Sequence, residues 1–468
     1  MSSFIEKKEM ERILSRASAL REERDVQIRD QIVERIYDES HSIAQDVVRK
    51  EKNKQQRVFD DKLDRVLTSK LWGFPIMLLM LGVVFWMTIA GANIPSSLLA
   101  DFFFWGETYL TQFFMWVGAP AWLHGILVLG LYRSVGWVIS VMLPPMAIFF
   151  PLFAVLEDFG YLPRVAFNLD RLFKKAGAHG KQSLTMAMGF GCNAAGVVAC
   201  RIIESPRERM IAILTNNFVP CNGRWPTLIL MASLLLGGTM GLAYGTMMAS
   251  LIVVGMVLIG ITMTLFVSWS LSKTLLRGVP SHFTLELPPY RKPQVGRTII
   301  RSIFDKTLFV LRRAVITAAP AGIITWILAN IMVGDQSVLA HVAGWLEPFA
   351  HAIGLDGYIL MAFILGLPAN EIVVPILIMS YLSTGAMTQL DDLTQLQTLF
   401  LHYGWTWLTA LNLMLFSLLH YPCGTTLWTI ARETKSKKWT LVAAFLPLTI
   451  AIGVCFLVAQ LVRGLGLV

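Results

Sequence analysis

Three cysteines lie where the sequence interrupts helices. Cys192 follows Gly-Phe-Gly, while Cys221 and Cys423 each follow a proline. Glycine and proline break helical hydrogen bonding, so unpaired carbonyl groups are expected beside each thiol. Thiolate, imidazole and amide oxygen donors together favour a borderline divalent ion such as Fe²⁺, Mn²⁺, Co²⁺ or Zn²⁺ over Mg²⁺ or Ca²⁺. The pattern therefore indicates metal ligands, with ordinary buried cysteines as the alternative.

Harder donors accompany these thiols. Asn193, Asn222 and His420 are the candidates, and His420 stands three residues before Cys423. That spacing places both on one face of a continuous helix, although the intervening proline weakens this geometry. No Cys-x-x-Cys pair occurs, which argues against a structural zinc site. Scattered donors are better suited to an ion in transit, which has to be released.

Glu371 is the only acidic residue between Tyr358 and Leu390. An acid at membrane depth is a functional candidate by default. It can ligate a cation, carry a proton, or stabilise a helix break by accepting backbone N–H groups. Arg224 is predicted either to pair with it or to anchor at a membrane interface.

The elements that must position these residues are membrane helices. Of 468 residues, 55% are apolar and 15% charged. No Asp, Glu, Lys or Arg occurs in 71–100, 225–272, 314–334 or 439–462. Because about 20 apolar residues span a bilayer, we predict an all-α polytopic membrane protein with roughly 7–10 transmembrane segments. A soluble enzyme, a secreted disulfide scaffold and a disordered protein are excluded.

The net charge of +9 does not indicate nucleic-acid binding. Residues 1–67 hold 15 basic and 15 acidic residues, which leaves 25 basic and 16 acidic (40 − 15 and 31 − 15) for the remainder. These cations cluster beside apolar spans, where they set orientation. The charged N-terminus lacks a signal-peptide pattern, so it is predicted to be cytoplasmic. Residues 1–67 are predicted to form either a solvated helical hairpin or a docking surface.

Polar interruptions predict four regions: 1–67, a first membrane half at 68–272, a cytoplasmic linker at 273–313, and a second membrane half at 314–468. We expect spans at 72–90 and 122–142, joined by an outer segment at 93–120. Residues 183–200 and 358–382, the latter broken at 366–371, are predicted to dip in from opposite faces. Two such breaks favour an inverted-repeat transporter with its site near the midplane. Kinks for close packing are the alternative.

Several ordered motifs resemble the membrane domain of the bacterial ferrous iron transport protein B (FeoB) family. The resemblance runs from about residue 60 to the C-terminus. Its motifs are DKLDRVLT at 61–68, LEDFGYLPR at 156–164, Phe167 with Asp170-Arg171-Leu172, GFGCN at 189–193, ESPRER at 204–209, PCNGRWP at 220–226, LPANEIVV at 367–374 and PC at 422–423.

The resemblance implies two pseudo-symmetric gate repeats in a bacterial inner membrane, which import Fe²⁺ through a pore lined by Cys192, Cys221 and Cys423. Glu371 matches the acid of the second gate. The motifs depart from the family at Asn193-Ala194-Ala195, where a proline is usual, and at Asn370, where a lysine is usual. The family usually begins with a GTP-binding domain and a helical spacer, and only the spacer has a counterpart here, in 1–67.

No permanently bound cofactor is expected, and no nucleotide-hydrolysing motif is present. Gly180-Lys181-Gln182-Ser183 lacks the first glycine of a phosphate loop. A separate GTP-binding protein is therefore the expected partner, and a homo-oligomer is compatible with the sequence. The rival hypotheses are a carrier of Mn²⁺ or a nucleoside on the same fold and a non-transporting membrane scaffold.

Overall fold

The computed structural model describes residues 15–16, 32, 34–43, 54–69, 71–237, 242–278, 290, 294–387 and 393–467. Contacts divide the chain into two units, Met1–Lys62 and Leu63–Val468. In the first unit, residues 34–43 are helical. Ile32 and Ile36 are each more than half exposed. Together with Ile28 and Val33, which lie outside the described residues, these two are predicted by their helical spacing to form one apolar face.

Helices build almost all of the described chain, which confirms the predicted fold class. In chain order they are α1 (Lys54–Leu67), α2 (Gly73–Trp116), α3 (Ala121–Phe159), α4 (Tyr161–Lys175), α5 (Gln182–Gly191), α6 (Asn193–Ala199), α7 (Pro206–Thr215), α8 (Trp225–Gly237), α9 (Leu242–Lys273), α10 (Val295–Asn330), α11 (Val338–Ala352), α12 (Gly357–Leu365), α13 (Val373–Leu382), α14 (Leu393–His402), α15 (Trp407–Leu419), α16 (Gly424–Thr434) and α17 (Lys437–Gly464).

One small hairpin interrupts the helices. Met332–Val333 pairs antiparallel with Gln336–Ser337. Gly334, in the turn, adopts a left-handed conformation with φ +67°. Such a conformation is strained for residues with a Cβ atom, which explains glycine at this position. The hairpin separates α10 from α11.

Two helices extend beyond the predicted spans. Helix α2 has 44 residues, so 93–116 is helical rather than an outer loop. No turn sequence ends it before Gly118-Ala119-Pro120, where Gly118 has φ +68°. At 1.5 Å per residue α2 is about 66 Å long, roughly twice the hydrocarbon thickness. Helix α10 likewise starts within the predicted linker, because charged residues at 297–313 continue the helical turns without a breaker.

Five of the helices are long and apolar enough to cross a membrane: α2, α3, α9, α10 and α17. A sixth crossing arises if α11 and α12, which meet at 112°, form one bent span. Shorter apolar helices occur at 193–202, 225–234 and 370–382. The protein is therefore a multi-pass membrane protein in which several apolar segments are broken.

The two membrane halves pack against each other through these broken segments. Helix α6 of the first half packs against α16 of the second, and α8 packs against α15. Helix α3 contacts the turn Asn370–Ile372, which precedes α13. The interior of the unit is consequently lined by segments from both halves.

Candidate functional site

Four interruptions of helical structure surround the predicted site residues. Two lie in 182–237, the first gate segment, at Cys192 and at 219–224; two lie in 357–434, the second gate segment, at 366–369 and 420–423. Cys192 itself is extended, with φ −155° and ψ 125°, between α5 and α6. Breaks were predicted at each place. They free backbone groups that need partners when they are buried in protein.

The two breaks of the first gate segment are hydrogen-bonded to each other. The backbone N–H of Asn222 donates to the carbonyl of Gly191 over 3.2 Å, and Asn216 Nδ2 donates to the carbonyl of Asn193 over 3.1 Å. Assigning the Asn193 amide with its nitrogen toward the carbonyls of Gly189 and Asn216 gives a hydrogen bond to each over 3.2 Å. The side chain of Asn193 therefore stabilises the break directly.

Arg224 joins the two gate segments. Its side chain is fully buried. Nη1 donates to the carbonyls of Asn217 at 2.6 Å and Leu418 at 2.8 Å. Nη2 donates to the carbonyls of His420 and Tyr421, each at 3.2 Å. One guanidinium thus satisfies carbonyls at breaks in both halves, which is neither of the two roles predicted for it.

Glu371 reaches across to the first gate segment. It lies in the turn Asn370–Ile372 and is 8% exposed. A Cβ atom placed on Gly223 would stand 2.2 Å from Glu371 Oε1, so the carboxylate rests directly against the Gly223 backbone. Among the described residues it forms no ion pair, and its own backbone N–H is its hydrogen-bond donor. A buried carboxylate without a counter-charge favours a bound cation or proton.

The three predicted thiols lie in one region of the molecule. Cys192 is 8% and Cys221 7% exposed, while Cys423 is partly exposed. Cys192 is within electrostatic range of both other thiols, and Cys221 and Cys423 are each within range of Glu371. The soft thiol of Cys221, from the first half, is therefore near the hard carboxylate of Glu371, from the second.

These groups do not form one closed cage. In the part of the chain that the structure describes, no set of three His, Cys, Asp or Glu side chains is placed to hold a metal ion. Arg224 lies within electrostatic range of Cys221 and Cys423. The arrangement is compatible with separate, successive sites.

His420 is held in a defined orientation. Its Nδ1 lies 3.0 Å from the Phe416 carbonyl and 2.9 Å from the Ser417 carbonyl. Because a carbonyl only accepts, Nδ1 carries the proton and Nε2 keeps its lone pair. Nε2 is buried and has no hydrogen-bond partner among the described residues. Such an imidazole is able to ligate a metal.

Asn222 and the hydroxyls near Cys423 complete the site. Asn222 is half-buried and lines a small cavity together with Gly191 and Trp225. Cys423 Sγ lies 3.3 Å from Thr426 Oγ1. Sequence reasoning missed the threonines of α16, although three of them follow within six residues of this cysteine. Cys200 and Cys455 instead bond to helix carbonyls and are fully buried, as expected.

Outside the gate segments, a polar junction within the second unit joins Asp64, near the C-terminal end of α1, to Arg164 of α4. Arg164 donates to both carboxylate oxygens of Asp64, at 2.9 and 3.0 Å, and Tyr290 donates to Asp64 Oδ1 at 2.7 Å. Burial by itself raises the pKa of Asp64, but the hydrogen bonds from Arg164 and Tyr290 outweigh it and hold that pKa below its usual value. The junction therefore keeps an ionised carboxylate.

Comparison with known proteins was made at the level of families and individual relatives. The family model described as "Nucleoside recognition" (Gate) matches residues 139–235 and 311–437. The model "Ferrous iron transport protein B C terminus" matches residues 253–305. The two Gate stretches contain all seven predicted site residues. No solved structure matches the chain.

Among curated relatives, the "Fe(2+) transporter FeoB" of Staphylococcus aureus strain MSSA476 is 29% identical over 465 residues, covering 96% of this chain and 67% of the relative. The protein of the same name from Methanocaldococcus jannaschii is 27% identical over 449 residues, covering 93% and 63%. A "Fe(2+) transport protein A/Fe(2+) transporter FeoB fusion protein" of Porphyromonas gingivalis is 26% identical, covering 87% and 52%. The chain thus spans about two thirds or less of the relatives it matches.

Proposed function

Because the chain belongs to the ferrous iron transport protein B family, we propose that it carries Fe²⁺ inward across a bacterial inner membrane. The observation that carries the proposal is the approach of Glu371 to the Gly223 backbone, beside Cys221. It brings the hard carboxylate donor of Glu371, from the second half, close to the soft thiol donor of Cys221, from the first half. Fe²⁺ is a borderline ion that accepts both donor types.

The ion passes the gate segments by exchanging its water for protein donors in turn. Cys192, Cys221 and Cys423 act as successive soft ligands. Glu371 balances the double positive charge in a region where desolvation is costly. His420 and Asn222 add harder donors, and Asn193 contributes by holding the break at Cys192. Binding by few ligands at each step allows release, whereas a closed cage retains its ion.

Reconstituted vesicles test this function. Purified full chain is incorporated into liposomes loaded with an Fe²⁺-quenched dye, and uptake is compared among cysteine variants of matched chemistry. We expect Cys221→Ser and Cys423→Ser to lower the uptake rate at least about tenfold, since oxygen replaces a soft ligand. Cys200→Ser and Cys455→Ser, at buried thiols outside the gate breaks, are the controls and stay within twofold. Equal rates in all four variants contradict the proposal.

A nucleoside is the second candidate substrate, because the matching family model bears that description. The same vesicles are therefore assayed with radiolabelled nucleosides and with Mn²⁺. Thiol and carboxylate donors favour the metal, so we expect saturable Fe²⁺ uptake that excess nucleoside does not inhibit. Competition by a nucleoside overturns the assignment of substrate. Failure of every substrate to enter favours the scaffold hypothesis.

A separate GTP-binding protein energises or regulates transport by docking on residues 1–67, which lie on the cytoplasmic side. Exposed Ile32 and Ile36 support this surface. Co-expression with candidate GTP-binding proteins, followed by purification in mild detergent, tests the docking. We expect Ile32→Asp with Ile36→Asp to abolish co-purification, while Glu34→Gln, a control on the same segment, preserves it. Retention of the partner by the double variant contradicts this docking site.

A further inference from the structure

A cavity of about 500 Å³ lies beside the first gate segment. Its wall includes Ala194 and Ala195, two and three residues after Cys192, together with Glu157, Lys306 and Arg313. By the predicted topology, the beginning of α10 and the end of α3 are on the cytoplasmic side. An ion leaving Cys192 toward the cytoplasm therefore meets this cavity, which we name the inner vestibule.

In the part of the chain that the structure describes, Arg313 lines the inner vestibule and forms no ion pair, and Arg432 and Glu433 are within electrostatic range of it. Nη1 donates to Thr429 Oγ1 over 2.6 Å. The guanidinium carbon lies 4.1 Å from the centre of the Phe309 ring. Both partners are uncharged, and Cys192 is within electrostatic range of the guanidinium. Thr429 belongs to α16, the helix that begins directly after Cys423, so Arg313 is held against the second gate segment.

The other charges near the inner vestibule largely neutralise one another. Three ion pairs account for most of them: Lys306 with Glu157 at 3.6 Å, Arg301 with Asp305 at 3.2 Å, and Arg201 with Glu433 at 2.6 Å. Arg432 is a second cation, exposed to solvent and 5.7 Å from the Trp428 ring centre. The local balance is therefore positive, and Arg313 is the cation that is within electrostatic range of Cys192.

We infer that Arg313 forms an electrostatic barrier at the cytoplasmic exit of the passage, which a divalent cation has to cross after leaving Cys192. The inference deepens the proposed function and rests on it. Repulsion by one positive charge acts twice as strongly on Fe²⁺ as on a monovalent cation at the same distance. The barrier slows the passage of cations through the inner vestibule and limits leakage when no transport is under way. A purely structural anchor for α16 is the competing explanation.

Charge in the inner vestibule is measured without reference to transport. Ala195→Cys places a thiol in the half-buried wall, and inside-out vesicles are treated with methanethiosulfonates bearing either a sulfonate or a trimethylammonium group. Mass spectrometry of the peptide that contains position 195 gives both labelling rates. We expect Arg313→Gln to lower the sulfonate-to-ammonium rate ratio about tenfold, since attraction and repulsion are both lost. Arg313→Lys keeps the ratio.

Arg312→Gln is the matched control, because the neighbouring side chain is exposed and carries the same charge. Its ratio stays within twofold of the parent. A ratio for Arg313→Gln that is also within twofold of the parent overturns the inference. A structural anchor predicts that result, together with similar defects in Arg313→Gln and Arg313→Lys.

Transport rates test whether the charge of Arg313 also slows the passage of Fe²⁺. In the Fe²⁺ vesicle assay, Arg313→Gln is expected to raise the rate severalfold and to reduce its dependence on salt, because screening has less repulsion to remove. Arg313→Lys behaves as the parent. A changed labelling ratio with an unchanged Fe²⁺ rate overturns the barrier. A parent chain that carries no Fe²⁺ overturns the proposed function instead, and the labelling ratio still decides whether Arg313 sets the local potential.

Discussion

In both gate segments, helix breaks flank the candidate site residues, yet the two segments stabilise these breaks with different groups. In the first segment, amide groups of Asn193 and Asn216 bond to carbonyls of the same segment. In the second, carbonyls of Leu418 and His420 receive their donors from Arg224 of the first. The second segment also bonds its two breaks together, since the backbone N–H of Gly424 donates to the carbonyl of Leu367 over 2.7 Å. It differs from the first in taking further donors from a side chain of the other half.

The first gate segment in turn contacts a side chain of the second, the carboxylate of Glu371. Glu371 of the second segment covers the Gly223 backbone of the first, and no described residue of its own half pairs with it. Soft donors come from both segments, but the acid comes from one only. Neither half thus contains the complete candidate site.

Among the substitutions that test this comparison, Arg224→Gln is expected to lower the stability of the protein most. Gln cannot replace five donors, so carbonyls of both halves lose partners in a buried environment. We expect a loss of at least about 3 kcal/mol of stability. Thermal unfolding in detergent, followed by size-exclusion chromatography, measures the change. Arg312→Gln, at an exposed arginine, should leave the midpoint unchanged, and an equally stable Arg224→Gln protein would show that the halves do not depend on this residue.

Gly223→Ala tests the contact between the halves directly. The added Cβ would stand 2.2 Å from Glu371 Oε1. We expect about 1–3 kcal/mol of destabilisation from overpacking and a large loss of Fe²⁺ uptake. Glu371→Asp, which shortens the acid, should partly rescue stability in the double variant. Gly255→Ala is the control, because no described atom outside its own helix backbone and chain neighbours lies within 4 Å of the added Cβ there. Additive effects of the two changes are incompatible with direct contact.

His420→Phe separates ligation from packing in the second segment. The ring remains between Phe363 and Phe416, whose centroids are 4.8 and 5.7 Å away. Only the nitrogen atoms are lost, so we expect a stability change below about 1.5 kcal/mol and a roughly tenfold lower rate of Fe²⁺ uptake. Fe²⁺ uptake equal to that of the parent would show that His420 contributes by packing and does not ligate the ion.

Asp64→Asn is expected to have the smallest effect, because its junction lies outside both gate segments. Loss of the charge-assisted hydrogen bonds to Arg164 should lower the free energy of unfolding by about 1–2 kcal/mol. The folded pKa of Asp64 is below its unfolded value, so its stabilisation is present above the unfolded pKa and is lost as pH falls through the folded one. Unfolding midpoints between pH 7 and pH 3 should converge for parent and variant. Parallel curves would contradict this linkage.

Much of the candidate site followed from local sequence. Glycine before Cys192 and the proline-containing stretch 366–371 predicted breaks where the structure has them, because a missing side chain or N–H acts within one helical turn. The helical structure of 93–116 and 295–313 did not follow from the sequence, because these polar stretches continue helices that begin or end in apolar spans. A charged residue on an exposed helical face does not end a helix.

The roles of the two arginines were not predictable in the same way. Arg224 and Arg313 each appear in the sequence as a cation near an apolar stretch, a pattern equally typical of interface anchors. What distinguishes them is the identity of their partners: backbone carbonyls of the opposite half for Arg224, and an uncharged hydroxyl of α16 for Arg313. Those partners are more than 100 residues away along the chain.

By itself, the sequence determined that this is a helical, multi-pass membrane protein and where its helices break. Apolar length, glycine and proline act locally, so no knowledge of neighbours was needed. Only the tertiary structure decided which breaks meet, with Arg224 bonded to the carbonyl of His420 and Glu371 resting on Gly223. Contacts between residues so distant in sequence depend on how helices of both halves pack, and spacing along one chain does not encode that geometry.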